Sequence, residues 1–162
     1  MQGNELSIKD FFSLNATRSK EDIRAVVTAL QRQLIDMRKV GDFPEVEFPV
    51  EHIFSPGLYS RQMTLPAGGL IVGKINRHPC LNVILKGRIS VLSEEGPKEI
   101  IGPCVFTSEA NIKRVGLVHE ETIWINVHPT NETDLEKLEE ELIVPELELL
   151  EMKEEAIWLG QQ

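Results

Sequence analysis

Cysteine is scarce in this chain. Cys80 and Cys104 are the two among 162 residues, too few for a disulfide framework or a four-cysteine zinc site. Both thiols are expected to be reduced. Long apolar runs are missing as well: no stretch of 18 or more hydrophobic residues occurs, so no segment is expected to cross a membrane as a helix. The opening Met1-Gln2-Gly3-Asn4-Glu5 lacks the basic-then-apolar order of a secretory leader, and the expected location is the cytoplasm, with no membrane partner. No Gly-x-Ser-x-Gly elbow, phosphate-binding Walker loop, dinucleotide fingerprint or His-Glu-x-x-His helix is present, nor the Asp-x-Asp-x-Asp-Gly loop of a calcium site, and these absences remove the commonest hydrolase, nucleotide, metalloprotease and calcium-sensor readings. What remains is ordinary for a globular domain with short appendages: hydrophobic residues are 41%, charged residues 27% and mean hydropathy is -0.14.

The net charge of -9 is local. Residues 132–155 hold eleven acids and two bases, and the rest of the chain has fifteen of each sign. Within that neutral remainder, residues 61–114 carry eight bases against four acids. A surplus of four is weak for a groove that tracks a phosphate backbone, and the acidic tail repels phosphate, so nucleic acid is not expected as a partner.

Three zones follow from periodicity. In the segment 1–44, Ile23, Val26, Val27, Leu30, Leu34 and Met37 recur at spacings of three and four and predict an amphipathic helix over 20–40. Ser19 precedes Asp22 as an N-cap, and Gly41 follows Arg38-Lys39-Val40 as a C′ glycine. Residues 1–18 read as loosely structured. From 45 to 129 the pattern changes to apolar or alternating runs of four to eight residues, broken by Ser55-Pro56-Gly57, Pro66-Ala67-Gly68-Gly69, Glu94-Glu95-Gly96-Pro97, Gly102-Pro103 and Val118-His119-Glu120-Glu121. Eight or nine short strands without an intervening helix predict a closed barrel or double-sheet jelly roll, with an immunoglobulin-like sandwich as the competing arrangement. The third zone, 130–162, is an acidic helical extension: a helix over 131–143 capped by Asn131 and ended by Pro145, then a second over about 146–159. The apolar stripe of the 20–40 helix is expected to pack on its own domain, with a second copy as the alternative, and the tail's apolar residues on the barrel's outer wall or a partner subunit; faces left exposed on these appendages favour self-association.

The stretch Gly68-Gly69-Leu70-Ile71-Val72-Gly73-Lys74-Ile75-Asn76-Arg77-His78-Pro79-Cys80-Leu81-Asn82-Val83-Ile84-Leu85-Lys86-Gly87 resembles the first motif of the cupin family, G-x5-H-x-H-x3-E-x6-G, with its spacing intact. Gly102 to Arg114 resembles the second motif with a one-residue slip, Asn111 standing for its glycine and Arg114 for its histidine. The resemblance spans roughly residues 50–128 and implies a cupin-type double-stranded β-helix, a mainly β jelly-roll barrel. Within the family it is similar to small cupin-like proteins of phages and prophages, whose strand reads Gly-Lys-x-His-Lys-x-Glu-His-Leu-Asn; here Asn76, Pro79 and Cys80 replace the His, Glu and His.

The ligands of the motif are gone. Lys74 stands for the first histidine, Asn76 for the second and Cys80 for the glutamate, and lysine and arginine beside a divalent ion add positive charge to positive charge, so no metal and no cofactor is expected. The glycines keep a plain role, Gly68 in a tight turn and Gly87 in a hairpin joining two strands. The barrel mouth is expected to present Lys74, Asn76 and Arg114, with Arg61, Cys80 and His78 beside them, as a candidate site for a small anion. Inward cations need a partner, either an internal carboxylate such as Glu109 or an anionic ligand; side chains snorkelling to water at the rim are the plain alternative. Cys80 and Cys104 also read as small core residues. The function expected is a non-enzymatic cupin-like binding or assembly module, phage-encoded in kind, that self-associates. The alternatives are a metal-dependent cupin oxygenase or isomerase using His78, His119 or His128, and a structural component of a larger particle.

Overall fold

A computed structural model describes residues 8–41, 45–145 and 156–158. It contains α1 (Ile8–Asn15), α2 (Lys20–Lys39), β1 (Glu45–Val46), β2 (Val50–Ser55), β3 (Leu58–Leu65), β4 (Gly69–Val72), β5 (Cys80–Ser93), β6 (Gly96–Ile101), β7 (Cys104–Ser108), β8 (Arg114–Pro129), α3 (Leu135–Leu142) and β9 (Ala156–Trp158). Every strand pair is antiparallel.

Two long strands organise the molecule. β5 and β8 pair with each other along nearly their whole length, and each serves two sheets. The first half of β8 pairs with β4 and the second half of β5 with β6, giving one sheet in the order β6-β5-β8-β4-β9-β1. The second half of β8 pairs with β3 and the first half of β5 with β7, giving the other, β7-β5-β8-β3-β2. This is the expected double-sheet jelly roll.

The bend between the sheets corrects the role expected of Gly87. The residue lies inside β5, at register irregularities between Ile84 and Ile89, rather than in a hairpin. Its φ is +108, and a Cβ there would stand 2.5 Å from the Thr122 Cα and 2.6 Å from the Glu121 carbonyl oxygen of β8. Glycine lets the two strands close up where they turn the corner together. The irregularity also changes which side chains face inward: Cys80, Asn82 and Ile84 before it, Ile89 and Val91 after it. The expected break at 118–121 is likewise absent, since β8 runs through it.

Apolar residues sort by sheet face. Leu65, Ile84, Ile89, Val91, Ile100, Val118 and Trp124 fill one part of the barrel interior. Outside, Ile23, Val27 and Leu34 of α2 and Phe12 of α1 bury against Leu70, Leu92 and Val115 of the first sheet, each side chain so buried contributing about 1.5–3 kcal/mol. The apolar face of α2 therefore packs on its own domain, as expected, and is not left for a second copy. The end signals of α2 hold: the Asp22 amide donates to Ser19 Oγ at 3.2 Å, and Gly41 has φ +79. Arg24 fastens α2 to the barrel by donating to the Asn111 carbonyl at 2.8 Å.

The N-terminal expectation is corrected, because Ile8–Asn15 form a helix. Eight residues show little periodicity of their own, and Phe12 acquires its partners only by packing. At the other end, α3 begins at Leu135 rather than 131. Asp134 is its N-cap, accepting from the amides of Glu136 and Lys137 at 3.1 Å each. The helix stops at Leu142, with Ile143 already extended ahead of Val144-Pro145. Leu138 and Leu142 bury against Tyr59 and close one end of the barrel. Of the second helix expected over 146–159, residues 146–155 and 159 lie outside the described residues, and Ala156–Trp158 are a strand between β1 and β4 instead of a helix. Among the described residues no helix is long and apolar enough to cross a membrane.

Candidate functional site

The half of the interior not filled by apolar residues is polar. Alternation brings Cys80 and Asn82 of β5, Trp124, Asn126 and His128 of β8, Tyr59 and Arg61 of β3 and Ser108 of β7 to one inner face, with Asn82 opposite Asn126 and Cys80 opposite Ser108. Asn82 is the hub. Fully buried, its Oδ1 accepts from Trp124 Nε1 at 2.9 Å and Asn126 Nδ2 at 2.8 Å, and its Nδ2 donates to Ser108 Oγ at 2.6 Å. Ser108 Oγ accepts again, from an Arg114 guanidinium nitrogen at 2.8 Å. Since Arg114 opens β8 in the first sheet and Ser108 ends β7 in the second, this bond spans the barrel.

Of the residues singled out from sequence, the structure brings Asn76, Cys80 and Arg114 together. Asn76 Nδ2 points to Cys80 Sγ at 3.7 Å. The Cys80 thiol also faces Asn126 and Ser108, and Arg114 draws its proton affinity down, but burial is the larger influence and pushes the thiol up. A thiol so placed is a poor nucleophile at neutral pH. Burial likewise lowers the proton affinity of Arg114, against the pull of Glu95, Cys80 and Glu94. The carboxylates near Arg114 are thus Glu94 and Glu95, the latter at 3.9 Å; Glu109, the partner expected from sequence, is exposed.

Arg61 faces the same interior from β3, its guanidinium 3.1 Å from Met63 Sδ. Lys74 and His78 fall outside it. β4 ends at Val72, so the alternation expected to turn residues 74 and 76 inward stops before reaching them. Residues 75–77 instead pair with the end of α3 through Val144 N to Ile75 O at 2.9 Å and Arg77 N to Leu142 O at 2.8 Å, and Lys74 Nζ meets Glu139 Oε1 of α3 at 2.6 Å. His78 is exposed on the adjoining turn. Asn111 takes a left-handed conformation, φ +62, as its place in the second motif requires.

The three histidines of the enzyme alternative do not converge. His119 is on the outer face and bonds Ser90 Oγ at 2.6 Å, and His128 stacks on Tyr59, 6.1 Å between centroids, which in turn bonds His52 Nδ1 at 2.6 Å. Among the described residues no three His, Cys, Asp or Glu side chains are grouped to hold a metal. With one thiol and a guanidinium at its centre, the cluster does not fit a divalent ion.

His128 offers a pH test of this end of the barrel. Burial first, then Arg61 and His78, hold its pKa below the usual 6.5. The unfolded chain therefore takes up a proton before the folded one does, and stability is expected to fall as pH drops below about 6.5. Urea midpoints between pH 7.5 and 5 should show a steeper decline for the natural chain than for His128→Gln. Parallel curves would mean that His128 does not contribute.

From sequence, Trp124 and Asn126 stand out only as sharing strand parity with His128 in a conceivable rearranged site, and Asn82 and Ser108 do not stand out at all. Their signal was parity, polar residues at inward positions of apolar strands, and it becomes readable only once the strand register is known.

No protein-family model matches the sequence, and no curated protein matches it. Among solved structures the chain is similar to ectoine synthase from P. lautus, at 14% identity over 64% of this chain and 80% of that one, with a TM-score of 0.49. It is similar also to KdgF from Halomonas sp., at 14% identity over 58% and 92% with a TM-score of 0.45, and to an RmlC-like cupin family protein from Methanocaldococcus jannaschii, at 16% identity over 51% and 80% with a TM-score of 0.44. On its own strand order, with β5 and β8 bent through both sheets, the chain is a double-sheet antiparallel jelly roll.

Proposed function

We propose that this chain is a non-enzymatic binding module that holds a small anion, a phosphate or a carboxylate, in the polar half of its barrel. The observation that carries this is Arg114. Its side chain is 18% exposed, it is desolvated enough to lower its proton affinity, and its closest carboxylate oxygen among the described residues is at 3.9 Å, too far for a hydrogen bond. A buried guanidinium is costly until an anion engages its fork of donors. Asn76 and Asn126 add N–H donors around it, and Arg61 adds a second positive charge from the facing wall. The raised Cys80 thiol and the absence of a grouped metal donor set among the described residues support binding rather than turnover.

Inorganic phosphate and acetate, compared with chloride at equal ionic strength, test this by thermal unfolding. An anion present at about 100 times its Kd stabilises by about 2.7 kcal/mol, which is roughly 5–10 °C for a chain of this size. The shift is expected for the natural chain and lost in Arg114→Gln, and native mass spectrometry of freshly purified protein should show the corresponding added mass. Absence of a shift with every anion, or the same shift in Arg114→Gln, would overturn the reading in favour of a barrel filled by its own side chains.

A further inference from the structure

Two carboxylates stand beside Arg114, and they are held differently. Glu94 is occupied: its side chain is 9% exposed, its Oε2 accepts from the Lys113 amide at 2.9 Å and its Oε1 from Arg24 Nη1 at 3.4 Å. Glu95 follows it in the turn between β5 and β6. Its amide donates at 3.1 Å to Oγ of Ser93, the residue paired with Arg114 across the sheet. The turn thus stations the Glu95 carboxylate on the solvent side of the guanidinium, 48% exposed where the Arg114 side chain is 18% exposed. Arg114 Nη2 donates inward to Ser108 Oγ at 2.8 Å and lies 3.9 Å from Glu95 Oε2. Opposite charges therefore face each other at the mouth of the polar half across a gap too wide for a hydrogen bond.

A bare anion fits this pair poorly. Seated on the Arg114 fork, it would lie within about 4 Å of a second carboxylate, and like charges at that range repel, the more so where water is partly excluded. A phosphate, with its larger negative charge, would suffer most. We infer that the ligand of this site is a small zwitterion, a carboxylate that carries an ammonium group one or two carbons away, with its carboxylate on Arg114 and its ammonium on Glu95. Such a ligand inserts a neutral pair into a neutral pair and leaves neither protein charge without its opposite. The spacing suits it. With each charge-assisted hydrogen bond about 2.8 Å long, protein groups 3.9 Å apart are bridged by a ligand nitrogen-to-oxygen separation of roughly 3–4 Å, that of an α- or β-amino acid. The inference rests on the reading of Arg114 as an anion site and narrows it from any phosphate or carboxylate to one class.

Isosteric pairs test this on the full chain, near neutral pH and at constant ionic strength: glycine against propionate and β-alanine against butyrate, each pair exchanging an ammonium for a methyl group, with inorganic phosphate alongside. Saturable shifts of the Trp124 Nε1–H and Arg114 Nε–H signals in nitrogen-labelled protein give each Kd. The amino acids are expected to bind at least about 5-fold more tightly than their isosteres, and phosphate more weakly than glycine. Glu95→Gln, a change at an exposed turn, should erase the preference while propionate still binds, and Arg114→Gln should lose every ligand. Propionate bound as tightly as glycine by the natural chain, or a preference for glycine that survives in Glu95→Gln, would overturn the zwitterion and leave the anion reading standing. No saturable shift with any of these ligands would overturn both.

Discussion

The Gly87→Ala chain is expected to lose about 4 kcal/mol or more of folding stability, enough to lower its melting midpoint by roughly 10 °C or to leave no cooperative transition. Two costs coincide at this position. The backbone sits at φ +108, where an L side chain is strained, and the added methyl would meet the Thr122 Cα at 2.5 Å and the Glu121 carbonyl at 2.6 Å. Both obstacles are backbone atoms, so no rotamer change relieves them; the strands would have to separate where they bend. That bend also carries the switch in parity that turns Cys80, Asn82 and Ile84 inward on one side and Ile89 and Val91 on the other. Gly96→Ala is the useful comparison, since its φ is +94 but a Cβ there meets nothing within 4 Å. Urea unfolding of the two variants separates strain from collision. A Gly87→Ala loss no larger than that of Gly96→Ala would mean that the sheets accommodate the methyl and that the close approach is unimportant.

Asn82→Ala is expected to cost about 3 kcal/mol without changing the fold. The substitution removes a fully buried side chain that accepts from Trp124 Nε1 and Asn126 Nδ2 and donates to Ser108 Oγ. The Trp124 indole is 7% exposed, and without its acceptor the N–H faces an interior with little water to replace it. Ser108 keeps Arg114 as a partner, but the chain of bonds that spans the barrel from Trp124 to Arg114 is cut in its middle. A cycle with Trp124→Phe measures the coupling directly: removing both partners should cost less than the separate losses together, by about 1 kcal/mol. Strict additivity, or an Asn82→Ala loss below about 1 kcal/mol, would show that water or repacking takes over the network. Since Asn82 reaches Arg114 indirectly, through Ser108, the same variant should also weaken anion binding, by less than Arg114→Gln does.

The sequence by itself determined the class of the fold and most of its strands. Alternation and turn residues are local properties, and so are the Ser19 and Gly41 signals that bound α2 and the positive φ taken by Gly68 and Asn111. It placed Asn76, Cys80 and Arg114 together through motif spacing, because Cys80 begins β5 and Arg114 begins β8, the two strands that share both sheets. Three things were decided only by tertiary structure. Lys74 left the site because β4 stops at Val72 and the following residues bond to α3, a partner 65 residues further on for Lys74 itself. Gly87 became a corner rather than a hairpin because its steric demand comes from Glu121 and Thr122 across the sheet, which nothing adjacent to it in the chain announces. The apolar stripe of α2 found its partner in the first sheet while Leu81, Leu85 and Val105 were left facing out. Periodicity tells that a face is apolar; which face is covered depends on where the layers come to rest.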